Sequence, residues 1–268
     1  MVIQLIENLR TAILWNTVCN TACALAAFTL LVLYLRDTRW VKCLLLCCLL
    51  GTASAADPNY IILDVKPKTQ RQQPTETMVE ISSLLSDKDW AYVQYDQFKK
   101  PVDNITKIHE GVHMLDASLS KPGYQGIYLG NGHGLRLKIP EHVKLSDVGI
   151  PISERGTVFK TYMVTSREWW DRNCLYTMVE ANGYLWGAKT RHELGWTNRS
   201  ETVRYGIELC SYFAAAIDTI ERLEPEYDTT ALVEVLDLMT AQWRVLAPDF
   251  ADWPLASNIA MHGKGYEE

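Results

Sequence analysis

Five consecutive residues near the middle of the chain, His109-Glu110-Gly111-Val112-His113, combine the side chains that metal-assisted hydrolysis requires. On a helix, positions i and i+4 share a face, so His109 and His113 can aim two imidazoles at one tetrahedral zinc ion. Glu110 stands slightly off that face, beside the position such a metal keeps open. There it can hydrogen-bond a water and take its proton. Gly111 inside the same turn costs roughly 1 kcal/mol relative to alanine, which points to a close approach of another element. The competing reading is a histidine pair on a solvated helix face. The two variable positions carry neither proline nor charge, as the metal-binding reading prefers.

The helix that must position these residues is legible. Ile105, Ile108, Val112 and Leu115 recur at helical spacing between Pro101 and Leu119. Asp103 or Asn104 can cap the start, and Lys121-Pro122-Gly123 ends the run. Around it, Tyr60 to Val65 reads as a strand, Lys66 to Glu76 as a polar linker, and Trp90 to Tyr95 as a second strand. The apolar pattern from Met78 to Leu85 is too short to assign. Gln125 to Ile139 reads as a hairpin around Gly130-Asn131-Gly132. Helices are expected near 157–165, 173–190, 200–222 and 228–246, punctuated by Gly195 and Pro225. The fold class is therefore α+β, a small sheet or hairpin beside a mostly helical C-terminal half.

The five-residue pattern and its helix resemble the zincin metallopeptidases, in which the two histidines bind zinc, the glutamate is the general base and a third ligand comes from further along. The resemblance covers the motif and its helix, so it implies a superfamily and a zincin-like fold. The metzincin branch places its third ligand six residues after the second histidine and a glycine three after it. Those positions here are Leu119 and Asp116, a departure that removes that branch. The gluzincin branch draws a glutamate from a later helix, and Glu180 is the best candidate. It is the only carboxylate between Arg172 and Lys189, on a helix otherwise apolar or small. A lone buried carboxylate is expensive unless it is paired or bound to a metal. Ala181 and Gly183 leave room for close helix approach. Asp171, Glu168 and Glu193 remain alternative ligands, and a salt bridge from Glu180 to Lys189 is the structural alternative. Asp116, on the same face as both histidines, can accept a second ring N–H from one of them. Tyr184, one turn beyond Glu180, and His133, on the hairpin, are candidate donors to a developing oxyanion. His142, His192 and His262 read as surface residues, and the Tyr128/Leu135 hairpin can offer a strand edge to an extended substrate.

The rest of the chain sets limits. With 48% apolar residues, a net charge of −6 and no basic run, it is globular and lacks the basic stripe of a nucleic-acid surface. Residues 1–55 form an apolar N-terminus. Val18 to Leu35 can serve as a membrane anchor, and Cys43 to Leu50 followed by Gly51-Thr52-Ala53-Ser54-Ala55-Ala56 has the pattern of a signal peptide. Export to the periplasm, cell surface or medium follows, with membrane attachment if the segment is not cleaved. Residues 56–268 are then the zinc hydrolase domain. Cys174 and Cys210 are able to form one disulfide in an oxidising compartment. Trp169-Trp170, Trp186 and Trp243 fall in helices and read as core. The expected activity is peptide-bond hydrolysis on a peptide or protein substrate with Zn2+. The alternatives are a non-catalytic, membrane-tethered zincin-like binding module and an amidase acting on a cell-wall amide.

Overall fold

A three-stranded antiparallel sheet combines β1 (Tyr60–Asp64), β2 (Tyr124–Gly130) and β3 (His133–Lys138) in the order β1-β3-β2. The computed structural model describes residues 59–96, 98–196 and 201–248, all within the compact unit that starts at Asn59. The apolar segments of residues 18–35 and 43–50, and His262, lie outside the described residues. Register is fixed by pairs such as Tyr60 with Leu137 and Tyr124 with Lys138. The β2–β3 turn takes positive φ at three successive residues, Gly130 (104°), Asn131 (54°) and Gly132 (74°). Glycine adopts this backbone freely and asparagine tolerates it, which explains the Gly-Asn-Gly sequence.

Helices α1 (Glu76–Leu84), α2 (Asp87–Tyr92), α3 (Asn104–Leu119), α4 (Arg167–Trp170), α5 (Tyr176–Glu193), α6 (Glu201–Leu223) and α7 (Thr230–Leu246) supply most of the remainder. The fold is α+β, as the sequence pattern implies. A π-helical turn, Lys160–Thr165, precedes α4. Helix α5 is central: it packs against α3 on one side and α6 on another, while α3 also lies on β2. Twelve of the eighteen residues of α5 are buried, which is why its sequence shows no clean amphipathic stripe. Ile108, Val112 and Leu115 of α3 are fully buried against Met78, Ile81, Leu84, Leu85, Tyr128 and Trp186. Helix α1 crosses α3 at Gly111, where a Cβ would stand 3.1 Å from Ile81 Cγ2 and 3.3 Å from Leu85 Cδ1. The glycine cost in α3 therefore has a packing cause.

Three expectations are corrected. Residues 90–95 are not a strand. Ser86 accepts the Asp89 amide at 3.2 Å and starts α2, whose last turn contains Trp90 to Tyr92. A capping signature outweighs a short alternation of side-chain size. The free edge of β2 is not open to a substrate either. The Tyr128 amide donates to Asp116 Oδ1 (2.7 Å), the Gly126 amide to Ser120 Oγ (2.7 Å), and Asn182 Nδ2 donates to the Tyr128 carbonyl (3.1 Å). Side chains of α3 and α5 occupy the groups that an added strand would need. Finally, Cys174 and Cys210 are both buried free thiols, and burial pushes each up to about 12.

Helix α1 acts as a clamp. Its Thr77 amide and hydroxyl donate to Glu193 at the end of α5 (3.0 and 2.6 Å). Its Glu80 accepts the Tyr128 hydroxyl (2.5 Å) and the Asn131 amide (2.6 Å) of the hairpin. Lys189 lies between the fields of these two glutamates, with Nζ 3.9 Å from the centre of the Trp186 ring. Among the described residues no helix is long and apolar enough to cross a membrane.

Candidate metal centre

The Asp103 carboxylate caps α3 by accepting the Ile105 and Thr106 amides (2.9 and 3.0 Å), which fixes where the helix begins. From that start, His109 and His113 stand one turn apart on the face toward α5, with their Nε2 atoms 2.9 Å apart. Across from them, Glu180 Oε2 lies 3.6 Å from His109 Nε2 and 3.5 Å from His113 Nε2. These three atoms form the single group with metal-binding geometry among the described residues. The helices can come this close because residue 183 is glycine. A Cβ there would lie 3.0 Å from His109 Cε1, His109 Nδ1 and His113 Cε1.

The dimensions fit a small four-coordinate ion. Donors at about 2.0–2.1 Å from a tetrahedral zinc are separated by roughly 3.3–3.4 Å. The observed separations of 2.9, 3.5 and 3.6 Å bracket that value. The point equidistant from the three atoms, the circumcentre of their triangle, is about 1.9 Å from each. That distance is just under a zinc bond length, as a ligand triad with a fourth position left open requires.

The electrostatics agree. Burial works against ionisation of Glu180, yet the two imidazoles hold its carboxyl far below the usual carboxylate range. Burial likewise opposes charge on His113, but Glu180, with Asp116 and Glu110 further off, holds its pKa above the ordinary histidine value. The alternative ligands are elsewhere. Asp171 accepts the Ser146 amide at 2.9 Å, Glu193 caps α1, and Glu168 is exposed on α4. Lys189 faces Glu80 and Glu193, so the salt bridge expected as an alternative role for Glu180 does not form. Asp116 is also not a partner for a histidine ring. Its two oxygens accept the Tyr128 amide and Asn182 Nδ2 (3.3 Å), tying α3 to β2 and α5. That buried setting pushes its carboxyl up to about 7.

Glu110 is exposed beside the histidines and exerts its field on both His113 and Tyr184. Tyr184 stands edge-on to His109, ring centres 4.5 Å apart, and its hydroxyl is 2.9 Å from that of Tyr162. His133 is not part of this group; it opens β3, with Nδ1 3.7 Å from Asp64. Two tyrosines that were not among the candidates read from the sequence are brought in. Tyr176 lies one turn before Glu180 on the same face and directs its hydroxyl toward that carboxylate, a signal available from the i, i+4 spacing. Tyr162 comes from the π-helical turn, which has no sequence signature, although such turns gather at functional sites.

Glu208 supports that turn. Buried on α6, it accepts the Val158 amide (3.0 Å) and the Tyr212 hydroxyl (2.5 Å), holding the segment that leads into Tyr162. No family model matches the chain, and no curated protein or solved structure matches it.

Proposed function

We propose that this chain is a zinc-dependent peptidase of zincin type, with His109, His113 and Glu180 as the metal ligands. The observation that carries the proposal is the position of Glu180. It reaches the histidine pair from another helix and completes a donor triangle of zinc dimensions. Zinc, when bound, acidifies a water and polarises a carbonyl. The chain's own residues do the rest. Glu110, exposed beside the histidines, takes a proton from the attacking water and returns it to the leaving amine. Tyr184, whose hydroxyl accepts from Tyr162, supplies an O–H donor for the negative charge that develops on the carbonyl oxygen. Burial, reinforced by the Glu180 carboxylate, pushes both phenols above their ordinary value, so both stay protonated at neutral pH. The 4.5 Å between the Tyr184 and His109 ring centres supports a donor role for Tyr184.

The decisive measurement pairs metal content with turnover. The purified protein should retain about one zinc per chain through gel filtration. Glu110→Gln should keep that zinc while hydrolysis of casein falls by at least ~10²-fold. A zinc-loaded preparation that emerges metal-free overturns the proposal. Assaying peptidoglycan beside casein separates a peptidase from a cell-wall amidase. Full zinc with turnover of neither would identify a binding module.

A further inference from the structure

The segment that brings Tyr162 to the metal centre has almost no core of its own. Among residues 151–170 only Val158 and Met163 are buried. At its far end Trp170, 44% exposed, stacks on Tyr176 with ring centres 4.8 Å apart, and Trp169 is 78% exposed. The indole pair expected in the core is therefore outside it. Yet this segment holds the Tyr162 hydroxyl 2.9 Å from that of Tyr184, whose ring abuts His109. A stretch with so few buried contacts opens easily unless something else holds it.

Glu208 on α6 holds it. Its Oε1 accepts the Val158 amide (3.0 Å), and the Val158 carbonyl accepts the Tyr162 amide (3.0 Å). The same carboxylate oxygen accepts the Tyr212 hydroxyl (2.5 Å), whose own oxygen accepts the Gly156 amide (3.2 Å). The loop backbone can lie this close because residue 156 is glycine; a Cβ there would fall on the Glu208 carboxylate. Arg155 closes the loop on itself. Its Nε donates to the Ile150 carbonyl (3.0 Å), and its guanidinium lies 4.6 Å from the centre of the Phe159 ring. Three hydrogen bonds thus lead from α6 to the centre: Glu208 to Val158, Val158 to Tyr162, and Tyr162 to Tyr184. None of them passes through His109, His113 or Glu180.

We propose that Glu208 is a positioning residue for the hydrolysis: through Val158 it sets the place of Tyr162, and Tyr162 in turn aims the Tyr184 hydroxyl. This inference rests on the zinc-peptidase reading. Tyr184 accepts the Tyr162 hydroxyl, which leaves the Tyr184 proton for the carbonyl oxygen of the substrate. A group misplaced by about 1 Å, even by a change far from the chemistry, can cost about 10²-fold in rate.

The test is a double-variant cycle on the full zinc-loaded chain. Glu208→Leu keeps bulk and loses the acceptor, whereas Gly156→Ala, at an exposed position, pushes the loop away from an intact Glu208. In each, kcat on casein should fall about 10- to 100-fold while KM and zinc content stay unchanged, because the oxyanion contact forms only in the transition state. Glu208→Gln retains a side-chain oxygen that accepts both donors, and should keep most of the rate. Tyr162→Phe should lose a comparable amount, and adding Glu208→Leu to it should cost under about twofold more. A Glu208 that only stabilised the fold would lower kcat equally in both backgrounds. Full kcat in Glu208→Leu and Gly156→Ala overturns the positioning role, and so do losses that multiply in the double variant. If Glu208→Leu fails to fold, Gly156→Ala combined with Tyr162→Phe gives the same cycle. Zinc retained without turnover of casein or peptidoglycan overturns the peptidase reading alone. Acetohydroxamate titrated by calorimetry then reads the cycle, because its oxygen also accepts from Tyr184. Its affinity should fall about 3- to 10-fold in each single variant and no further in the double. Unchanged affinity overturns the positioning role. Absence of zinc together with no hydroxamate binding overturns both.

Discussion

Gly183 is the position where a single methyl group most directly tests the metal centre. An alanine Cβ there would sit 3.0 Å from two atoms of His109 and one of His113, whereas carbon contacts are comfortable at about 3.5–4.0 Å. The rings, or α5 itself, must therefore move by roughly 0.5 Å, a displacement at the limit of what a preorganised site tolerates. Folding should change little. Alanine recovers about 1 kcal/mol of helix propensity, against an overpacking cost of about 1–3 kcal/mol. Metal affinity should change much more, by about 10- to 100-fold, the range seen when the groups that hold metal ligands are disturbed. In melting experiments, the gap between zinc-loaded and chelator-treated protein should shrink by about 1.4–2.7 kcal/mol. Gly187 supplies the matched control. It lies one turn further along α5, where a Cβ would meet Ile105 Cγ2 at 3.1 Å, with none of His109, His113 or Glu180 among its close neighbours. Gly187→Ala should cost similar stability and leave zinc affinity intact. The reasoning fails if Gly183→Ala binds zinc as the unaltered protein does, or if both variants lose it equally.

Glu180→Ala should release zinc and abolish the chelator-dependent shift in melting temperature, and Glu180→Gln should do nearly as badly because a neutral amide is a weak zinc ligand. Full zinc occupancy in Glu180→Ala would move the third ligand elsewhere. Burial holds Lys189 at about 8, against 10.5 for the unperturbed side chain. The unfolded chain thus binds more protons between those values, and stability should rise with pH across that window. Lys189→Met should flatten the rise, as read from urea midpoints at pH 7.5, 8.5 and 9.5; an unchanged slope would show that another group titrates there.

What the sequence reveals follows from how local each determinant is. Helix α3 is legible because its cap, its apolar spacing and its terminating Pro-Gly all lie within the segment they specify. The β2–β3 turn is legible for the same reason, since Gly130, Asn131 and Gly132 each suit the positive φ they adopt. Glu180 can be picked out because its solitude on a helix of small and apolar residues is visible without coordinates. What is hidden depends on contacts across the fold. The saturated edge of β2 exists only because Asp116, Ser120 and Asn182 arrive from two different helices. Asp116 shares a face with both histidines, so helical spacing alone pairs it with a ring rather than with the strand. Trp169 and Trp170 look like core residues by type, and only the brevity of α4 and the stack on Tyr176 place them at the surface. Tyr162 is hidden because a π-helical turn has no residue pattern of its own.

A comparison among the carboxylates that join elements of the fold separates scaffold from candidate site more sharply than burial does. Asp116 accepts the Tyr128 amide, Glu208 the Val158 amide, Glu193 the Thr77 amide and Glu80 the Asn131 amide. Each of these acids accepts a main-chain N–H, and each thereby joins two elements. Glu180 is just as enclosed, at 8% exposure, yet no main-chain amide is among its hydrogen-bond partners in the described residues. Its neighbours are His109, His113 and the Tyr176 hydroxyl, all side chains and all titratable. A carboxylate placed to hold the fold together would be served by the backbone, whose geometry is fixed and whose charge does not vary. Glu180 is instead kept ionised by two imidazoles, side chains that are themselves able to bind a metal. On the proposed zinc reading, the contrast accounts for Glu180 standing where a leucine would pack, and for glycine rather than alanine three residues further along the same helix.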